Sequence, residues 1–196
     1  MFIINPCAAG CGRPAITGGS LCFVHQANQE QEYKRICAYI DDNVTIKDLN
    51  VSGMRFEEID FSNHHFYGCD FRNTAFIRCT FSGVKIRMSF FDFADLNACD
   101  FSKSDIQFLS FAGARFRDCT FDGSEIVHVN FSGASVTGTS FNNSNLYNSR
   151  FISSDLEKTT FVNCNLKRVY FVDSKQNDIL FKTSNTAESV FVMEER

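Results

Sequence analysis

A large apolar residue recurs at every fifth position from Ile46 to Phe171, 26 times in succession and without an insertion. The series opens Ile46, Val51, Phe56, Phe61, Phe66, Phe71 and closes Leu156, Phe161, Leu166, Phe171. An α-helix repeats every ~3.6 residues and a flat strand every ~2, so neither generates this spacing. Gln176 and Thr186 break the series, while Phe181 and Phe191 continue it. Of the 23 Phe in the 196-residue chain, 18 lie on this register, so the excess of Phe is a property of the repeat.

Two more positions repeat alongside it. The residue two places earlier is mostly small, as in Cys69, Thr74, Cys79, Ser89, Ala94, Cys99, Ser104 and Cys119, which suits a crowded interior. Asp or Asn often stands directly before the large residue (Asp60, Asp70, Asp100, Asn130, Asn145), and Gly recurs two places after it (Gly53, Gly68, Gly83, Gly113, Gly133). Asp, Asn and Gly are turn formers. Each unit therefore supplies one large and one small inward side chain and one corner.

Units such as Cys69-Asp70-Phe71-Arg72-Asn73 and Cys119-Thr120-Phe121-Asp122-Gly123 resemble the pentapeptide-repeat family, over residues 46–195. The resemblance implies a right-handed quadrilateral β-helix with four units per coil, and it implies little about function, because one fold hosts many roles. The residues agree with that coil independently. At a spacing of 20, Phe71, Phe91, Phe111, Phe131, Phe151 and Phe171 form one column, and Phe61, Phe81, Phe101, Phe121, Phe141 and Phe161 form the opposite one. Thirty units at four per coil give about seven and a half coils, and ~4.8 Å between stacked strands makes a rod on the order of 36 Å long. The expected fold is an all-β solenoid over residues 46–196, preceded by a small module over residues 1–45.

The first 45 residues do not follow the period. They hold Cys7-x3-Cys11 and, ten residues on, Cys22-x2-His25. Zinc takes four sulfur and nitrogen ligands tetrahedrally, commonly as two closely spaced pairs, so Cys7, Cys11, Cys22 and His25 are the candidate metal ligands. The segment Gly10-Cys11-Gly12-Arg13-Pro14 with Leu21-Cys22-Phe23-Val24-His25 also resembles a short zinc-binding module of bacterial and phage proteins. It departs from that pattern at Gln26, where the module often has Tyr. Four protein ligands leave no open position, which implies a structural zinc. From Ser20 to about Asp41 the apolar spacing of Leu21, Val24, Tyr33, Ile36, Cys37 and Ile40 predicts a helix capped by Ser20. Pinned by zinc, it is expected to cover the open end of the solenoid near residues 44–51, since an exposed strand edge invites aggregation.

The chain carries no glycine-rich phosphate loop, no Gly-x-Ser-x-Gly and no His-Glu-x-x-His, and a non-enzymatic protein is expected. Cys79, Cys99 and Cys119 fill the slot used elsewhere by Ala, Ser or Thr and read as buried thiols. His64 takes the same kind of slot and reads as a hydrogen-bonded turn residue. Nothing approaches the ~18 apolar residues of a membrane span, and the opening residues lack the basic-then-apolar order of a signal peptide. Nine cysteines then favour thiols or metal ligands in a reducing cytoplasm.

The outward positions are uneven. Arg87, Met88, Phe90, Phe108, His128, Tyr147, Arg150 and Tyr170 are placed by their columns on one side of the rod, Met88, Phe108 and His128 at a stacking spacing of 20. The opposite side, with Ser62, Ser82, Ser102, Asn142 and Asn163, reads as solvated. Clustered exposed aromatics point to a partner-protein surface. The leading expectation is thus an interaction scaffold. A DNA gyrase- or topoisomerase-binding modulator is the alternative implied by quinolone-resistance relatives of the repeat family. DNA mimicry is disfavoured by 16 basic against 19 acidic residues in the repeat region. Nucleic-acid binding through the zinc module is disfavoured by three basic against four acidic residues in residues 1–45. Phe181, Phe191, Val192 and Met193 keep the last coil apolar, so a homodimer through the C-terminal coil is expected.

Overall fold

At every fifth position from Asp48 to Thr183 the backbone φ is positive, between 49° and 75°. A left-handed residue turns the chain sharply. Each five-residue unit is therefore a short straight segment followed by a corner, and four corners close a square. The computed structural model describes residues 5–192. Residues 1–4, read above for a signal peptide, and Met193, read as part of an apolar C-terminal end, lie outside the described residues.

The square coil has four faces, numbered here in chain order from Ile46. Face one is a five-stranded parallel sheet, Thr45–Lys47, His65–Tyr67, Lys85–Arg87, Asp105–Gln107 and Glu125–Val127, in which Ile46, Phe66, Ile86, Ile106 and Ile126 pair in register. Face three, opposite it, is a seven-stranded parallel sheet from Arg55–Glu57 to Lys175–Asn177. Faces two and four are held by single bridges, Asp70 to Phe90 to Ser110 on face two and Thr80 to Asp100 to Thr120 on face four. Most backbone amides of the coils donate to a carbonyl about one coil away, for example Phe71 N to Phe90 O at 2.7 Å and Asp70 N to Leu49 O at 2.7 Å, while others close the turns locally, as Thr74 N does to Phe71 O at 3.2 Å.

All 26 residues of the register from Ile46 to Phe171 point inward, none more than 1% exposed. The Phe rings of face four stack at 4.4–5.4 Å from Phe61 to Phe181, and those of face two follow one another at 4.4–5.3 Å from Phe71 to Phe191, all stacked but Phe91 and Phe111, which are tilted by 46°. Facing rings meet edge-on, as Phe141 does with Phe151 at 5.8 Å and 86°. Both arrangements suit the quadrupole of an aromatic ring.

The small inward residues do more than fit. Ser104, Ser124 and Ser144 donate their hydroxyls to the carbonyls of Phe81, Phe101 and Phe121 at 2.7–2.8 Å. Cys79, Cys99 and Cys119 occupy equivalent slots and donate their thiols to Phe56, Phe76 and Leu96 carbonyls at 3.4–3.5 Å. Burial pushes the Cys69 thiol up to about 12, so it stays neutral. The Asp and Asn before the large residue close Asx turns, Asp60 and Asp100 each accepting from the amide two residues on at 2.8 Å.

The helix is shorter than the apolar spacing predicts. It runs Gln29–Asp41, and its cap is Asn28, whose side chain accepts from Gln31 N at 2.9 Å, not Ser20. Residues Phe23–His25 form a single 3₁₀ turn instead. The Cys22-x2-His25 spacing brings the two side chains together there, and Val24 is 52% exposed, so the early part of the apolar pattern belongs to that turn. Ile36 and Ile40 are fully buried against Ile46, Leu49 and Val51, and Tyr33 packs on Phe56 at 5.6 Å, so the helix covers the first coil. His64 joins the two parts: its Nε2 lies 3.1 Å from Ile40 O at the helix end and its Nδ1 3.1 Å from Ser62 O.

Candidate metal centre and contact edge

Two backbone devices draw the four N-terminal ligands together. Residues Pro6 and Pro14 bridge antiparallel, Cys7 N donates to Arg13 O at 2.9 Å, and Gly10 and Gly12 adopt φ of 70° and 76° to turn Cys11 back. The 3₁₀ turn presents Cys22 and His25 on one side, and Gln26 closes it by donating to Leu21 O at 3.0 Å. The ligand atoms of Cys7, Cys11, Cys22 and His25 all lie within 4.8 Å of one another.

Three of the separations inside the cluster match the edges of a metal tetrahedron. Zn–S bonds of ~2.3 Å and Zn–N bonds of ~2.0 Å give edges of about 3.8 Å between sulfurs and about 3.5 Å between sulfur and nitrogen. Cys11 Sγ and Cys22 Sγ are 3.7 Å apart, and His25 Nδ1 is 3.4 Å from Cys7 Sγ and 3.5 Å from Cys22 Sγ. The Cys22 amide donates to Cys7 Sγ at 3.3 Å, and this contact and His25 pull the Cys7 thiol down to about 6. A thiolate at neutral pH is the form a metal takes. Cys7 and Cys22 are buried, whereas Cys11 is exposed.

The loop of this cluster is tied to the solenoid. Thr17 N donates to Asn50 O at 3.0 Å, Asn50 N to Thr17 Oγ1 at 2.6 Å, and Asn50 Nδ2 to Ala15 O at 2.8 Å. Arg35 of the helix donates to Thr17 O and pairs with Glu32. The ligand cluster, the helix and the first coil are thus one packed unit.

The eight candidate contact residues do not share a face; they straddle the edge between faces one and two. Arg87 and Tyr147 stand on face one, Phe90, Arg150 and Tyr170 on face two, and Met88, Phe108 and His128 occupy successive corners between them. Phe108 and His128 stack at 5.0 Å and 7°, and His128 meets Tyr147 edge-on at 5.8 Å. Arg168 donates to Tyr147 Oη at 3.1 Å, Arg87 pairs with Asp105, and Arg72 lies 6.0 Å over the Phe90 ring. Phe93 holds the next corner, between faces two and three, and a Cβ on Gly113 would lie 2.6 Å from its ring.

Met88, Phe93 and Phe108 are 58%, 66% and 57% exposed, and all three have positive φ. An L residue in that region is strained, and a bulky one is unusual there. Neither burial nor backbone comfort explains these side chains.

Fold and ligand cluster together define a class: a repeat scaffold, a parallel β-solenoid of about seven coils closed at one end by a helix and a Cys3His cluster. The chain belongs to the pentapeptide-repeat family. The family model for a pentapeptide repeat region matches residues 75–151, and that for pentapeptide repeats in eight copies matches residues 47–83. No curated protein matches the sequence. Among solved structures, Rfr23 from the cyanobacterium Cyanothece 51142 is 9% identical over 81% of this chain and 99% of its own, with a TM-score of 0.33. HetL from Nostoc sp. strain PCC 7120, involved in heterocyst differentiation regulation, is 10% identical over 81% and 96%, with a TM-score of 0.28. QnrB1, a plasmid-mediated fluoroquinolone resistance protein, is 19% identical over 71% and 79%, with a TM-score of 0.35. Among the described residues no helix is long and apolar enough to cross a membrane.

Proposed function

We propose that the protein is a non-enzymatic interaction scaffold, a stiff rod that presents the edge between faces one and two to a partner protein. The observation that carries this reading is the placing of Met88 and Phe108 at exposed, left-handed corners of that edge, where folding alone favours Gly or Asn. Aromatic and Arg side chains are the types that dominate protein contacts, and Arg87, Phe90, His128, Tyr147, Arg150 and Tyr170 surround those corners. The test is affinity capture from the native cell with wild type beside a Phe90→Ser/Phe108→Ser protein. A partner retained by wild type and lost by the variant is expected; equal recovery of every partner discards the edge. A DNA gyrase supercoiling assay on the same pair separates this reading from a topoisomerase-directed one.

Zinc is the metal we assign to Cys7, Cys11, Cys22 and His25, in a structural role that holds the N-terminal loop against Asn50. Three cysteine sulfurs and an imidazole nitrogen, all within 4.8 Å of one another, support it. Nine cysteines, all free, fit a reducing cytoplasm. A homodimer through the C-terminal coil is a separate proposal, resting on Leu180, Phe191 and Val192, which are 47%, 37% and 77% exposed. Light scattering on wild type and Leu180→Asp tests it: a twofold mass that halves in the variant supports the dimer, and a monomeric wild type removes it.

A further inference from the structure

We infer that Cys11 and Cys22 form a peroxide-sensitive dithiol that ejects the metal when oxidised, so that the N-terminal cap is a redox switch. The inference rests on the zinc reading above. Its first support is accessibility. Cys11 is exposed, whereas Cys7 and Cys22 are buried, as are Cys69, Cys79, Cys99, Cys119 and Cys164 in the solenoid. An oxidant in solution meets Cys11 first. The second support is proximity, since Cys22 Sγ lies 3.7 Å from Cys11 Sγ. A solvent-exposed sulfur with a resolving sulfur in contact is the arrangement that yields a reversible disulfide.

The chemistry balances with hydrogen peroxide as the oxidant. The Cys11 thiolate attacks the O–O bond and becomes a sulfenic acid, and the departing hydroxide is protonated to water. The Cys22 thiolate then attacks the sulfenic sulfur, the S–S bond forms, and a second hydroxide leaves as water. Two thiolates, one peroxide and two protons give one disulfide and two waters. The metal loses two of four donors, and Cys7 with His25 alone does not make a closed site. The 7–25 loop then keeps only its hydrogen bonds to Asn50 and the packing of the helix.

The experiment starts from protein purified without chelator, whose zinc content is measured first; a chain without zinc fails the zinc reading itself. Zinc-loaded protein is then titrated with hydrogen peroxide, free zinc is followed with a chromogenic chelator, and non-reducing peptide maps locate the oxidised sulfurs. The expected result is one zinc released as a Cys11–Cys22 disulfide forms, reversed by dithiothreitol and added zinc. Release with sulfinic acids and no disulfide, or through a Cys7 linkage, overturns the assignment, as does zinc retained while half-buried Cys37 is already oxidised. Cys11→His keeps four ligands and removes the exposed thiol, so its zinc release is expected to be on the order of tenfold slower. Where that variant binds no zinc, the wild-type map decides alone.

Discussion

At the scale of single residues, each five-residue unit has three separate requirements. The large inward side chain supplies burial. Phe111 is fully buried and contacts Phe91, Phe116 and Phe131 at 5.0–5.2 Å, so Phe111→Ala is expected to cost about 3–5 kcal/mol, read by urea denaturation. The small inward side chain supplies a hydrogen bond as well as a fit. Among the described residues Ser154 Oγ is the one buried side-chain oxygen or nitrogen without a partner, and Ala94, Ala114 and Ala134 fill the same column. Ser154→Ala is therefore expected to stabilise by roughly 1 kcal/mol. A loss of stability in that variant would show that the hydroxyl is bonded. The corner supplies a left-handed backbone. At Met88, Asn tolerates φ of 49° better than Met does, so Met88→Asn is expected to leave stability equal or raise it by up to about 1 kcal/mol while weakening partner capture. Stability and binding moving in opposite directions would mark a residue kept for contact. Loss of both together would make the side chain structural.

At the scale of elements, the strands and columns were legible in the sequence because one spacing set them all, and no insertion between Ile46 and Phe171 blurred it. The corners have a chemical signal only where Gly, Asn or Asp sits. Met88, Phe93, Phe108 and His128 carry no corner signal in their chemistry, and their place emerged only from the backbone. The same blindness made an edge look like a face. The role of Ser104 and Cys99 as donors was hidden too, since each acceptor carbonyl lies 23 residues earlier in the chain. The cap was half legible: the ligand spacing predicted the Cys3His cluster, yet Leu21 and Val24 extended the apolar pattern into a turn that is not helix. Because Asn28 caps the helix and Ile36 and Ile40 anchor it, the helix has packing of its own beyond the metal. Chelation or Cys22→Ser is therefore expected to lower the melting temperature without unfolding the rod. A loss of about 2 kcal/mol lowers it by roughly 4–8 °C in a chain of this size. An unchanged melting temperature after verified zinc removal would make the metal irrelevant to the cap.

At the scale of the whole molecule, the rod is close to one-dimensional, since each coil contacts its neighbours and little else. Stability then depends on position, and the two ends differ. The first coil lies under Ile36 and Ile40, with His64 and Asn50 bonded across the junction. At the other end Phe181 is only partly buried, the strand Lys175–Asn177 is exposed throughout, and Leu180, Val192 and the last stacked ring, Phe191, are exposed. Fraying should start where neighbours are missing. Amide hydrogen exchange on dilute protein is expected to be slowest across the coils from Phe101 to Phe131, and to quicken sooner toward Tyr170 and Val190 than toward Ile46. Zinc removal should speed exchange around Ile46 and Asn50 and make the two ends more alike. Protection over 170–190 equal to that of the central coils would mean that the C-terminal end is covered. Repeating the measurement at higher concentration then identifies the cover: protection that rises with concentration belongs to a second copy of the chain, and protection that stays constant belongs to the chain itself.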